Sequence, residues 1–72
     1  MDDEEIIDFV KKKKGVTSDY AVAKIIGISQ MGISNVRAKR GKLSAKTLMK
    51  IGEVLDINPN DLVKLEEKDF DL

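Results

Sequence analysis

Apolar residues recur at intervals of three and four along most of the chain, the spacing of one face of a helix, and each run is closed by a residue suited to end one. Ile6, Phe9 and Val10 form the first run, with Ile7 at its margin. They predict a helix from Asp3 to about Lys13, stopped by Gly15, whose acidic first turn and lysine-rich last turn suit the helix dipole. Ser18 reads as the N-cap of a second helix, Asp19 to Ile26, with Val22, Ala23 and Ile26 inward and Gly27 as its left-handed stop. Ser29 caps a third, from Gln30 to about Lys39 or Arg40, which Gly41 closes. Ser44 caps a fourth, Ala45 to Leu55, with Leu48, Ile51 and Leu55 on one stripe. Asn58-Pro59 sets a cap residue before a proline at the first helical position, with Asp61 two residues on, and so starts a fifth helix. It runs from Pro59 to about Glu66, with Leu62 and Leu65 inward. The expected fold is all-α, five short helices in one domain over 1–66, followed by a mobile acidic tail over 67–72. There is no repeat, no linker and no hairpin signal.

Composition narrows the chemistry. A chain of 72 residues has room for one small core. Such a core is stabilised by idealised helix packing, by a partner subunit, or by both. Neither cysteine nor histidine is present, so disulfides, zinc sites of the usual kind and Ser-His or Cys-His nucleophiles cannot be built. Ser/Lys or paired-carboxylate catalysis would need a concave site for which a handful of helices leaves little room. No metal, cofactor, small-molecule substrate or enzymatic activity is therefore expected. The longest uncharged apolar stretch, about Ala21 to Ile28, is interrupted by Lys24, so no bilayer span is expected. Asp2, Asp3, Glu4 and Glu5 are the reverse of a basic signal-peptide start, and the cytoplasm is the expected location.

Net charge is zero, which by itself argues against a nucleic-acid partner, but the total hides a segregation. Residues 1–8 carry five acids and no base, and Lys11 to Lys14 add four bases. From Tyr20 through Gly52 there are seven bases (Lys24, Arg37, Lys39, Arg40, Lys42, Lys46, Lys50) and no acid. From Glu53 onward seven acids face two lysines. A basic middle between acidic ends is the electrostatic footprint of a polyanion-binding surface.

The second and third helices sit in that basic middle, joined only by Gly27-Ile28-Ser29. Helices so joined cross steeply and nearly touch. The crossing needs a small residue, which Ala23 supplies, and the turn needs a positive φ, which Gly27 tolerates. Ile33 and Val36 then anchor the third helix on the second. The stretch Val16 to Leu65, about two-thirds of the chain, resembles the Cro/repressor (lambda-repressor-like) helix-turn-helix family. The resemblance rests on DYAVAKIIGISQMGISN (Asp19 to Asn35), TLMKIGEVL (Thr47 to Leu55) and INPNDL (Ile57 to Leu62). It extends to the short phage-encoded regulators of that family. It implies helix 3 in the major groove of double-stranded DNA, base reading at the positions of Gln30, Met31 and Asn35, and a dimer on a palindromic operator.

The residues themselves support that surface. With Ile33 and Val36 inward, helix 3 turns out Gln30, Met31, Ser34, Asn35 and Ala38, none of them acidic. Gln or Asn can bond adenine N6 and N7, and an apolar group can meet a thymine methyl. Phosphate contacts are expected from Arg37, Lys39, Arg40 and Lys42, from the Tyr20 hydroxyl, and at the helix N-termini capped by Ser18 and Ser29. Three positions depart from expectation. Asp19 stands where many relatives place a glutamine against phosphate. Gly32, inside the recognition helix, costs about 1 kcal/mol relative to alanine and is read as allowing close approach to DNA. Gly52 stands where the family usually has alanine.

A single recognition helix covers few base pairs, so a weak homodimer is expected, built from helices 4 and 5 or the tail. The rival within the same fold is an antitoxin or anti-regulator acting through a protein partner, for which the tail is short. RNA binding would need stacking aromatics, and one tyrosine and two phenylalanines are few.

Overall fold

The computed structural model describes residues 2–64 of the chain. Among them are five helices and no strand: α1 (Asp3–Lys14), α2 (Asp19–Ile26), α3 (Gln30–Arg37), α4 (Ala45–Leu55) and α5 (Pro59–Lys64). The end of the fifth helix at Glu66, the inward Leu65 and the tail over 67–72 lie outside the described residues. No helix among the described residues is long and apolar enough to cross a membrane.

Local chemistry sets the helix starts. Ser18, Ser29 and Ser44 each turn a hydroxyl oxygen to accept the third backbone N–H of the helix that follows, at 3.1 Å in every case. Such a cap is worth about 1 kcal/mol. α1 carries a stronger device that the pattern of apolar residues did not reveal. Asp2 accepts the Glu5 N–H at 2.9 Å while the Glu5 carboxylate accepts the Asp2 N–H at 3.0 Å, a complete capping box. At α5 the Asn60 N–H donates to Asn58 Oδ1 at 2.8 Å.

The helix ends show where side-chain pattern misleads. α3 stops at Arg37, two or three residues before the expected end, and Gly41 does not close it. Lys39 does so, at φ +63°. Its N–H donates to the Val36 carbonyl at 3.1 Å and the Arg40 N–H reaches back to Asn35 at 2.8 Å. This is the doubly bonded left-handed stop usually given to glycine, here placed on a lysine. Asp56 ends α4 in the same way at φ +57°.

The core is drawn from every helix. α1 presses Ile6, Ile7, Phe9 and Val10 into it, and Ile7 is fully buried rather than marginal. α1 touches α2, α3 and α4, so its apolar stripe is covered from both sides. Val22, Ala23 and Ile26 of α2 and Ile33 and Val36 of α3 meet it as expected. From α4, Ile51 and Gly52 are buried, whereas Leu48 and Leu55 lie half-buried at the edge of the core. Leu62 of α5 is fully buried, and Leu43, from the loop before α4, completes the set.

Gly32 has no internal need to be glycine. A Cβ there would meet Ser29 Oγ at 3.6 Å and Ile28 Cδ1 at 3.9 Å, both ordinary contacts. Gly32→Ala is therefore expected to stabilise the domain by about 0.5–1 kcal/mol through helix propensity and loss of unfolded-state freedom. Thermal denaturation followed by circular dichroism checks this. A lowered Tm would mean that α3 cannot accept the methyl group.

Candidate functional site

α2 and α3 are locked together by their turn. Gly27 takes φ +84°, and its N–H and that of Ile28 both donate to the Ala23 carbonyl, at 2.8 and 3.0 Å. Ala23 itself is 2% exposed, so a larger side chain would push the two helices apart. Ile33 and Val36 then fix the rotation of α3 about its axis. That rotation decides which residues face outward.

Gln30, Met31 and Ser34 emerge on the exposed side, with Met31 71% exposed although it is one of the larger apolar residues. None of the three side chains makes a hydrogen bond or ion pair within the described residues. Asn35 is half-buried, because the loop folds back over it: a Cβ on Gly41 would lie 3.4 Å from the Asn35 Cβ. Ala38 lies beyond the last turn of the helix and is exposed. Ser18, Tyr20 and Ser29 are exposed at the two helix starts. Both serine oxygens are occupied as cap acceptors, which leaves each hydroxyl proton to donate elsewhere. Tyr20, 54% exposed, carries Lys24 over its ring, the ammonium 5.3 Å from the centroid.

The basic residues that follow fall into two groups. Arg40 and Lys42 are exposed and make no ion pair among the described residues. Arg37 and Lys39 are turned back onto the acids of α1 and α2. The Arg37 guanidinium grips Asp19 with two hydrogen bonds, Nε to Oδ2 and Nη2 to Oδ1, each 3.0 Å. Nη2 also meets Asp8 at 2.6 Å, and Nη1 lies 3.8 Å from Glu4. Lys39 is paired with Glu4 although its side chain is 73% exposed. Lys11 completes the group, 2.9 Å from Asp19.

This network explains the odd carboxylate at the start of α2. Asp19 is spoken for by Arg37 and Lys11 rather than left bare toward a polyanion. The hydrogen bonds from Arg37, and secondarily those from Lys11, hold its pKa down to about 2 against the opposing effect of burial. Arg37 moves the other way, further above its already high value, chiefly through Asp19 and then Asp8. Glu4 likewise raises Lys39.

Sequence spacing could not have found these pairs, since Arg37 and Lys39 lie 18 to 35 residues from their carboxylates. Asp3 is another such residue: its carboxylate accepts the Leu43 N–H at 2.9 Å, pinning the loop before α4. On the far side of α4, Met49 is 59% exposed between two shallow grooves, one running to Ile28 and the other to Ile57. Lys46 and Lys50 border the first. No group of acids among the described residues is arranged to hold a metal ion.

In comparison with known proteins, the chain matches over residues 5–68 a family model described as a Cro/C1-type HTH DNA-binding domain. No curated protein and no solved structure matches the chain.

Proposed function

The chain belongs to the Cro/C1-type helix-turn-helix DNA-binding family, and on that premise we propose that it is a sequence-specific transcriptional regulator of the repressor kind, working in the cytoplasm as a dimer on a pseudo-palindromic operator. The observation that carries this reading is the outer face of α3. Gln30, Met31 and Ser34 are exposed, uncharged and without partners among the described residues, on a helix whose rotation is fixed by Ile33 and Val36. Asn35 joins them at the edge of the face. Such side chains read base edges in the major groove.

Phosphate contacts are assigned to Arg40 and Lys42 in the loop, to Tyr20, and to the N-terminal turns capped by Ser18 and Ser29. Arg37 leaves that set in this reading, since its guanidinium is engaged by Asp19 and Asp8. Lys39 belongs to it only when Glu4 lets it go. For the dimer we favour the outer side of α4 around Met49, where an exposed apolar residue stands between grooves that reach Ile28 and Ile57. Its small extent suits a weak dimer that assembles on the operator.

Selection of binding sites from random duplex DNA tests the proposal. Recovered sites should be pseudo-palindromes with half-site centres about 10–10.5 base pairs apart, each occupied by two chains in sedimentation. One chain per site, or an asymmetric footprint under about 10 base pairs, would overturn the dimer. Gln30→Ala should then cost about 1–3 kcal/mol on the selected site and little on random duplex. Equal losses on both would make Gln30 a positioning residue.

A further inference from the structure

The acids of α1 lie against the loop that leads away from the recognition helix. Glu4 holds Lys39, stands 3.8 Å from Arg37, and has Asp3 beside it holding the Leu43 N–H at 2.9 Å. Asp2, Asp3 and Glu4 face Lys39, Gly41 and Lys42 across one shallow cleft. Carboxylates that grip an ammonium, as Glu4 does, and a backbone N–H, as Asp3 does, make the same bonds as phosphate oxygens. We propose that the acidic start of α1 is an internal stand-in for the DNA backbone, with Glu4 competing with phosphate for Lys39 and so setting the overall affinity of the domain. This rests on the DNA-binding reading above and adds a regulatory contact to it.

Three features carry the inference. Lys39 is 73% exposed, so its pairing is not enforced by burial and a polyanion can reach it. Its backbone is held in a left-handed stop bonded to Val36, and the next N–H is bonded to Asn35. The base of the side chain is therefore fixed relative to α3, and the ammonium alone changes partner. Finally, Arg40 and Lys42, on the same loop, have no such carboxylate partner among the described residues. Within the described loop after α3 the restraint thus falls on Lys39, which distinguishes it from a general acidic shield.

The test is a double-mutant cycle on random-sequence duplex at low salt, with Glu4→Gln, Lys39→Gln and the pair. Glu5→Gln is the control, because it removes the same charge one residue away. A glutamine there can still accept the Asp2 N–H of the capping box. Glu4→Gln should bind about two- to fivefold more tightly than the parent, the range expected for an exposed ion pair. That gain should be absent in Glu5→Gln and should vanish when Lys39 is already glutamine. A gain equal to that of Glu5→Gln, or one that persists without Lys39, overturns the competition and leaves DNA binding standing. Failure of every form to bind duplex overturns both readings. A second measurement needs no variant: the side-chain carboxyl carbon shift of Glu4 should move when duplex is added to the unaltered chain. An unmoved signal at saturation means Lys39 stays with Glu4 on DNA, and the proposal falls.

Discussion

Arg37→Ala is expected to lower the stability of the domain by about 2–3 kcal/mol, a large share of what a chain this size possesses. The substitution removes a two-pronged grip on Asp19 together with the bond to Asp8, and so unties α3 from both α1 and α2. Exposed ion pairs are commonly worth less than 1 kcal/mol. This one differs in geometry and in setting: the guanidinium side chain is only 26% exposed and serves two carboxylates at hydrogen-bonding distance. The same network gives a pH signature. Asp19 has a folded-state pKa of about 2, below its ordinary 3.8, so its contribution is complete above about pH 4. It is lost as the pH falls through the folded value, for a total of about 1–2 kcal/mol once solvent screening is allowed for. Urea denaturation from pH 5 down to about pH 2 checks both points, since Arg37→Ala should remove this part of the acid dependence. A variant within about 0.5 kcal/mol of the parent would reduce the network to surface decoration.

The largest effect on binding is expected from Arg40→Ala combined with Lys42→Ala. Each cation that neutralises a phosphate contributes about 0.9 to the slope of log affinity against log salt. Losing both should flatten that slope by about two units and weaken binding to every sequence alike. Between about 50 and 200 mM salt, the parent should lose about tenfold more affinity than the double variant. Arg37→Ala, by contrast, should leave the slope untouched. If the double variant keeps the parent slope, Arg40 and Lys42 are bystanders and the phosphate contacts lie elsewhere on the basic middle of the chain.

What the sequence disclosed was the local part of the design. A serine before a helical run, or a glycine after one, acts through bonds three to five residues long. The starts at Ser18, Ser29 and Ser44 and the stops at Gly15 and Gly27 could accordingly be read directly. The end of α3 could not. Gly41 had the composition of a stop, but Lys39 adopts the left-handed turn, and nothing about a lysine announces that. Ile7 was ambiguous because stripe width depends on how many neighbours cover a helix, and α1 has three. At the candidate site, the exposed face of α3 followed from Ile33 and Val36 pointing inward. The diversion of Arg37 and Lys39 onto carboxylates did not follow, because only the folded chain brings residues 4, 8 and 19 beside them.

The long reach of those ties bears on how the molecule is made. α1 is made before the other four helices described here, yet Asp3 waits for the N–H of Leu43, 40 residues later. At about 5–20 residues per second, that interval is about 2–8 s, whereas helices form and melt within about a microsecond. A lone 12-residue helix is marginal in water, so α1 opens and closes many times with its four core residues uncovered. Its capping box and charged ends keep the nascent segment hydrated during that wait. The tie between Asp3 and Leu43 therefore closes only after α2 and α3, which lie between them in the chain, have been made.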